Sequence, residues 1–230
     1  MNYANWEPIY KEILNDFKYD LNADKKSAQI LDNLLSKRQD VNILEELIHG
    51  KDVVVFGAGP SLENSIKKHK KDINKMVKIS SDGATTALLK NNILPDIIVT
   101  DLDGKISDQI KANSNGAIVI IHAHGDNIDK IEKYVLEFKG TIIGTTQTNP
   151  KSYDKIYNFG GFTDGDRAVL LANHFGSKKI NLIGFDFNGE IGKYSFSENK
   201  DKHLKLKKLK WCKYIIEMLN KDDVNIHFFE

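Results

Sequence analysis

From Lys51 onward, short runs of apolar, mostly β-branched residues alternate with segments of helical patterning. The runs are DVVVFG (52–57), MVKIS (76–80), DIIVT (96–100), AIVIIHA (117–123), TIIGT (141–145), INLIGF (180–185) and VNIHFF (224–229). Strands that are apolar at consecutive positions are typical of a parallel sheet with helices on both faces. The alternation therefore predicts an α/β fold with a doubly wound, mainly parallel, Rossmann-like sheet.

Residues 1–48 contain no such run. Their apolar side chains recur at helical spacing, as Trp6, Tyr10, Ile13 and Phe17 do. We predict two or three helices here, which form an N-terminal helical extension (1–48) to an α/β catalytic domain (49–230). We expect the apolar face of this extension either to pack on the later core or to form a homodimer.

Composition and motifs exclude several classes of function. The chain has 33 Lys and Arg against 32 Asp and Glu, a net charge of +1, so no net field draws it to nucleic acid or an anionic membrane. The single cysteine, Cys212, excludes an intramolecular disulfide and a multi-cysteine zinc site. The GxSxG and HExxH motifs of hydrolases are absent from the sequence. No apolar stretch has the length of a membrane span or signal core, so we expect a cytoplasmic protein.

Glycine and polar residues directly follow five of the predicted strands. They form the segments GAGPS (57–61), SDGAT (81–85), DLDG (101–104), HAHGD (122–126) and GFDFNG (184–189). Doubly wound folds bind ligands at the carboxyl ends of their strands, so we expect these segments to line one crevice.

The DLDG segment carries the strongest signal. Asp101 and Asp103 stand at i and i+2, which places both carboxylates on the same side of an extended chain. Two such charges repel each other, and Mg²⁺ resolves the conflict because it takes oxygen ligands and shares them with substrate phosphates. We therefore predict a Mg²⁺ site that bridges to a nucleotide phosphate, with a solvated turn as the alternative.

The GAGPS segment is a weaker candidate for nucleotide binding. Gly57 and Gly59 allow a sharp turn and close approach to a phosphate, Pro60 follows them, and Ser61 is placed to cap the next helix. The third glycine of a dinucleotide fingerprint and the lysine of a P-loop are missing. An ordinary strand-to-helix turn fits the segment equally well.

Two further segments are candidates for ligand contact. Asp82, with Gly83 beside it, fits a ribose or metal contact, although a helix cap would use the same residue. His122 and His124 favour nucleotide, substrate or phosphate contact over zinc, for which no cysteine ligand is at hand, with a purely structural role as the other alternative. Asp126 is a candidate for substrate contact or for an additional carboxylate at the magnesium site.

The last candidates lie at the start of a predicted helix and after the strand that follows it. Thr163 is a natural cap, and acids in a first turn suit the helix dipole. Arg167, one turn further on, is placed to reach a phosphate oxygen. Asp186 and Asn188 suit hydrogen bonds to a polar heterocycle of the substrate, although a turn would use them too.

The order of these segments resembles that in two kinds of pyrophosphokinase. PDIIVTDLDG resembles the PDxIxGDxDS segment of thiamin pyrophosphokinases, SDGAT is similar to their DGGA, and TDGDRA, helix and INLIGF are similar to their TDxxKA, helix and apolar strand. With GAGPSL and HAHGD, the set resembles more closely the archaeal 6-hydroxymethyl-7,8-dihydropterin pyrophosphokinases, over roughly residues 50–187. That family belongs to a wider group related to motility-associated glycosyltransferase-like proteins.

The resemblance implies transfer of a diphosphoryl group from ATP to a reduced pterin, giving AMP, in tetrahydromethanopterin- or folate-type biosynthesis. By this likeness, Asp101 and Asp103 match the metal-binding pair of thiamin pyrophosphokinases, and Asp82 and Asp164 match further acidic positions around the metal. Such a transfer needs in-line positioning and positive charge on the bridging oxygens. Mg²⁺ and Arg167 would supply that charge.

Three other functions compete with this interpretation. The wider group suggests a glycosyltransferase-like enzyme that uses a nucleotide sugar, and the motifs shared with thiamin enzymes suggest a thiamin-type substrate. A non-catalytic nucleotide-binding module would keep its ligand after Asp101→Asn and lose no chemistry.

Overall fold

The computed structural model describes residues 3–189, 191–195, 202–221 and 224–229. Eight strands in these ranges form one sheet: β1 (Asp52–Phe56), β2 (Val77–Ser81), β3 (Ile97–Thr100), β4 (Ile118–Ala123), β5 (Ile142–Thr146), β6 (Ile156–Tyr157), β7 (Lys179–Ile183) and β8 (Ile226–Phe228). Their spatial order is β6-β5-β4-β3-β2-β1-β7-β8, and neighbouring strands are parallel throughout.

Nine α-helices lie in the same described ranges: α1 (Tyr3–Phe17), α2 (Leu21–Leu34), α3 (Asn42–Ile48), α4 (Leu62–Ile73), α5 (Ala84–Lys90), α6 (Ile106–Ser114), α7 (Ile128–Tyr134), α8 (Asp164–His174) and α9 (Lys202–Lys221). Successive strand residues face opposite sides of the sheet. Val53 and Val55 of β1 share one core with α1, α3, α8 and α9, while Val54 and Phe56 share another with α4 and α5. The predicted α/β fold with a parallel sheet is therefore confirmed. None of these helices combines the length and apolar content that crossing a bilayer requires.

All seven predicted strands are present, with ends that differ from the prediction by at most two residues. The sequence did not predict β6, in which Ile156 and Tyr157 pair with Gly144 and Thr145 at the edge of the sheet. Two residues are too few to carry a periodic signal, so β6 is recognised only from its pairing with β5.

The N-terminal helices belong to the same cores as the sheet. Trp6 of α1 is fully buried in the core beneath one face, and Leu31 of α2 is fully buried in the core that includes residues of β3 and β4. Phe17 stacks on Tyr19, and its ring centre lies 5.0 Å from that of Phe162. The aromatic face that was a candidate for a homodimer is therefore occupied within the chain.

The sheet has a topological switch point between β1 and β7. The chain passes from β1 outward to β6 on one side, then returns through α8 to place β7 on the other side of β1. The loops after two such strands diverge and leave a crevice at the carboxyl edge of the sheet. Residues 57–59 after β1 and 184–186 after β7 border this crevice.

Candidate active site

A cavity of about 260 Å³ occupies the switch-point crevice, between the ends of β1, β2, β3 and β7, the start of α8 and one face of α9. Nine of the predicted site residues line it: Gly57, Gly59, Asp82, Gly83, Asp101, Asp103, Thr163, Asp164 and Asp186. Four of the five polar segments therefore converge here as predicted. We call it the first cavity.

Three of these acids form a compact triad. Asp82, Asp101 and Asp164 each offer a carboxylate oxygen, and these oxygens lie within 4.8 Å of one another. Asp101 Oδ1 is buried and has no hydrogen-bond partner among the described residues. Asp82 is buried and the other two are partly buried. Like charges at this distance repel one another, and the hard carboxylate oxygens suit Mg²⁺. The triad therefore fits a divalent cation.

The composition of the triad corrects one part of the sequence interpretation. The chain is not extended from Asp101 to Asp103, because Leu102 adopts a left-handed conformation (φ 67°) and is fully buried. Spacing of i and i+2 therefore does not bring these two carboxylates together in the triad. Asp82, which follows β2, and Asp164, at the start of α8, complete the group around Asp101. Asp103 borders the same cavity next to Asp82, whose pKa its carboxylate raises.

The three carboxyl groups of the triad differ in the direction of their pKa shifts. Burial and the neighbouring carboxylates raise the pKa of Asp82 and that of Asp164 well above the usual value. Burial also opposes ionisation of Asp101, but the hydrogen bond and charge of His124 outweigh it and lower the pKa of Asp101. His124 Nε2 lies 3.1 Å from Asp101 Oδ2. A bound cation would therefore displace protons mainly from Asp82 and Asp164.

Asp82 is held in place by buried donors. Thr100 Oγ1 and Gln109 Nε2 donate to its Oδ1 at 2.6 and 2.7 Å. A Cβ at Gly104 would overlap Asp82 Oδ2, so the glycine makes room for the carboxylate. The alternative role of Asp82 as a helix cap is wrong, since the residue before α5 is Gly83. Gln109 was not predicted, because a glutamine on a helix resembles any surface residue.

The glycine turn after β1 is explained first by packing. A Cβ at Gly57 would lie 2.6 Å from the carbonyl oxygen of Gly184, and one at Gly59 would overlap the carboxylate of Asp186. Ser61 does not cap α4 with its side chain, which corrects that prediction. Its N–H and hydroxyl instead donate to Asp186 Oδ2 at 3.0 and 2.9 Å, which ties the ends of β1 and β7 together.

A second cavity of about 240 Å³ adjoins the triad from the other side. It is enclosed by residues 18–24 around the start of α2, by residues 124–126 after β4, and by Gln147 and Arg167. Asp101, Phe162 and Lys208 border both cavities. The HAHGD segment thus reaches Asp101 through this second cavity and not through the first.

The comparisons with known proteins agree with the geometry. Residues 28–191 match the family model described as 6-hydroxymethylpterin diphosphokinase MptE-like. The chain belongs to this family. It is 45% identical over 225 residues to the 6-hydroxymethyl-7,8-dihydropterin pyrophosphokinase of Pyrococcus furiosus, covering 95% of this chain and 94% of that one. It is 42% identical to the protein of that name from Methanocaldococcus jannaschii, over 100% of both chains.

A third relative of the same name, from Methanothermobacter thermautotrophicus, is 47% identical over 83% of this chain and 81% of its own. The resemblance to the archaeal pyrophosphokinases is therefore confirmed. Among solved structures, the Maf glycosyltransferase of Magnetospirillum magneticum AMB-1 gives a TM-score of 0.43 at 16% identity, over 70% of this chain and 28% of that chain. The MptE-like family model begins at residue 28 and ends at 191, so it includes neither α1 nor α9.

In this member of the MptE-like family, the start of α8 is capped as predicted. Thr163 is the N-cap residue, and its N–H donates to Asp166 Oδ1 at 2.8 Å. Arg167, one turn later, donates to Asp164 Oδ1 at 3.0 Å and is almost fully buried. Arg167 borders the second cavity and not the first, so its positive charge acts on the triad from the side of the second cavity.

Lys208 of α9 is the cation that borders both cavities together with Asp101. Lys193 pairs with Glu63, whereas Lys205 lines the first cavity and donates to the carbonyl oxygen of Ser195. Lys208 was missed because it lies in a lysine-rich helix whose sequence does not indicate which side chain faces the site.

Four predicted contact residues, among them Ser61, line neither the first nor the second cavity. Pro60 and Asn188 are exposed on turns outside them. His122 is 2% exposed, and its Nδ1 lies 3.0 Å from Thr145 Oγ1. Thr145 Oγ1 in turn donates to a backbone carbonyl, so His122 Nδ1 is the donor of this pair. The structure therefore provides these four residues with no direct contact to a ligand in either cavity.

Proposed function

We propose that this chain transfers a diphosphoryl group from ATP to the hydroxymethyl group of 6-hydroxymethyl-7,8-dihydropterin, giving the pterin diphosphate and AMP. Its proposed place is in tetrahydromethanopterin- or folate-type pterin biosynthesis in the cytoplasm. The observation that carries the proposal is the buried triad at the switch point, in which Asp101 leaves one oxygen unpaired. Membership of the MptE-like family and the names of the archaeal relatives support the choice of substrate.

Mg²⁺ is the proposed cofactor, with Asp82, Asp101 and Asp164 as its ligands. When bound, it would supply positive charge to the phosphate oxygens. Thr100 and Gln109 hold Asp82, and His124 holds Asp101, so the ligand oxygens are oriented before the cation arrives. Asp103 stays a predicted ligand from the wall of the cavity.

ATP is proposed to occupy the first cavity. Gly57, Gly59, Gly83 and Thr163 line it, and the backbone at the start of α8 suits a phosphate. Lys208 adds a positive charge beside Asp101. The pterin hydroxyl would attack the β-phosphorus, forming the new O–P bond as the bond to the α-phosphate oxygen breaks. The protein's role in such a step is positioning and charge stabilisation.

Product analysis tests the proposal. Incubation with ATP, Mg²⁺ and the reduced pterin should yield AMP in amounts that depend on the pterin, with thiamin run in parallel. ADP as the sole product would indicate a kinase. AMP formed with thiamin but not with the pterin would indicate a thiamin-type substrate. The absence of pterin-dependent turnover would contradict the proposal.

Asp101→Asn should lower kcat by about 100-fold or more, because it removes a metal ligand and the partner of His124 at once. The matched control is Asp129→Asn, which changes an exposed acid on α7 that borders neither cavity. The control should retain the rate of the unmodified protein. Equal losses in both variants would contradict a role for the triad.

Homodimer formation and the absence of nucleic-acid binding stay predictions.

A further inference from the structure

We infer that the second cavity is the pterin pocket and that the Tyr19 hydroxyl, on the connection between α1 and α2, is a specificity-determining group for the pterin ring. The inference rests on the proposed function, because it places one of the two proposed substrates. Residues 18–24 of this pocket precede the range that the family model matches.

Tyr19 has the property expected of a ligand-binding group. Its hydroxyl oxygen is buried and has no hydrogen-bond partner among the residues that the structure describes. Burial and the charges of Asp126 and Asp24 raise the pKa of Tyr19 to about 12, so the hydroxyl keeps its proton at neutral pH. A buried hydroxyl without a partner is destabilising. A ligand in this cavity would supply the missing partner.

The surroundings of Tyr19 suit a flat heterocycle with several donors and acceptors. The Tyr19 ring is stacked on Phe17 at 5.2 Å and lies 6.4 Å from the ring of Phe162, which gives the cavity an aromatic wall. The remaining lining includes the carboxylate of Asp126, the amide of Gln147 and the guanidinium of Arg167. A pterin offers an amine and ring N–H donors together with a carbonyl acceptor, and these functions match such a lining.

The relation between the two cavities favours the same assignment. Both are bordered by Asp101, whose free oxygen belongs to the metal triad. A pterin ring in the second cavity would direct its hydroxymethyl group towards Asp101, where phosphates in the first cavity would meet the cation. The two reactants would approach the transferred group from opposite sides, as in-line transfer requires.

The wall that carries Tyr19 is fixed to the site. Asp24 of α2 accepts hydrogen bonds from the hydroxyl of Tyr10, from Gln147 Nε2 at 2.7 Å and from the N–H of Gly125 at 2.7 Å. Gly125 adjoins His124, which pairs with Asp101. Because Asp24 is already satisfied by three donors, it positions the pocket, and Tyr19 remains the group that can bind the ring.

The test is Tyr19→Phe, which removes one oxygen and leaves the aromatic wall in place. KM for the reduced pterin should rise about tenfold, as expected for one lost hydrogen bond, while KM for ATP should change by less than about twofold. Thermal stability should be unchanged or higher, because the removed hydroxyl is unpaired. The matched control is Tyr157→Phe, whose hydroxyl donates to the Gln39 carbonyl and borders neither cavity.

Equilibrium titration with the same pterin, in the absence of ATP, separates this inference from the proposed function. Weaker binding of the pterin to Tyr19→Phe than to the unmodified protein and to Tyr157→Phe would support the pocket, even if no AMP were formed. Unchanged KM and Kd for the pterin would overturn it. A selective rise of KM for ATP would also overturn it, since it would place the nucleotide in the second cavity.

Discussion

Asp101 links the chemistry of the site to its electrostatics. One carboxylate oxygen is paired with His124, and the other is buried without a partner among the described residues. Asp82 and Asp164 lie close enough to share a cation with it but have raised pKa values because of burial and mutual repulsion. The three carboxylates therefore fit a divalent cation, and perturbed pKa values of this kind are typical of functional carboxylate clusters.

Gln109 provides a prediction on how the triad is tuned. Its amide donates to Asp82, so Gln109→Met should raise the pKa of Asp82 further and let protons compete better with Mg²⁺. We expect the Mg²⁺ concentration for half-maximal activity to rise about tenfold, the usual scale for losing a hydrogen bond that orients a metal ligand. The control is Gln29→Met at an exposed position of α2, which should leave the Mg²⁺ requirement unchanged. The same Mg²⁺ concentration for half-maximal activity in both variants would contradict this role of Gln109.

His122 provides a prediction on pH. Burial and the charge of Arg167 lower the pKa of His122 well below 6.5, so the folded protein binds fewer protons there than the unfolded chain. The stability that this histidine confers is complete above pH 6.5 and is lost as the pH falls towards the lowered pKa. Denaturant unfolding at pH 7.5 and 5.5 should therefore give a smaller pH dependence for His122→Asn than for the unmodified protein. Parallel curves for the two proteins would refute the assignment.

At the scale of elements, the N-terminal helices complete the site. α1 buries Trp6 in the core that also holds α8, and α2 reaches the loop after β4 through Asp24. Asp24 and Gln147, whose side chains are joined by a hydrogen bond, are 123 positions apart in the chain. The start of α2 therefore forms a wall of the second cavity as well as a cover for the sheet.

Asp24→Asn tests this link. The amide nitrogen of the introduced asparagine cannot accept hydrogen bonds from the donors that face Asp24. The change should therefore lower the free energy of unfolding by about 2 kcal/mol. Denaturant unfolding measures this loss. Asp20→Asn is the control, because asparagine caps the start of α2 as well as aspartate does and should leave the stability unchanged. A stable Asp24→Asn protein would show that α2 is held by its apolar face alone.

At the scale of the whole molecule, a parallel sheet brings distant loops to one edge. The switch point between β1 and β7 opens the first cavity, and α8 places Asp164 beside residues from β2 and β3. α9 then closes the cavity with Lys208. Because the acids repel one another without a cation, the fold holds them together by the stability of its cores.

Cation binding should therefore stabilise the entire fold. Mg²⁺ at a hundred times its Kd would add about 2.7 kcal/mol to the free energy of unfolding. A thermal melt with and without Mg²⁺ should show a higher Tm with the ion for the unmodified protein and little change for Asp101→Asn. A Mg²⁺ response that survives in Asp101→Asn would contradict the triad.

The sequence by itself determined the parallel α/β fold and the family, because strand periodicity and short ordered motifs are local properties. It also placed Asp82, Asp101 and Asp164 among the candidates. Only the tertiary structure decided which acids meet, since Asp82 and Asp164 share the triad with Asp101 while Asp103 lies next to Asp82. It likewise decided the burial of the Tyr19 hydroxyl, the contact of Gln109 with Asp82, the position of Lys208, the placement of His122 in the interior and the two-residue strand β6. Each of these depends on distances between chain-distant atoms, which packing sets and no local pattern encodes.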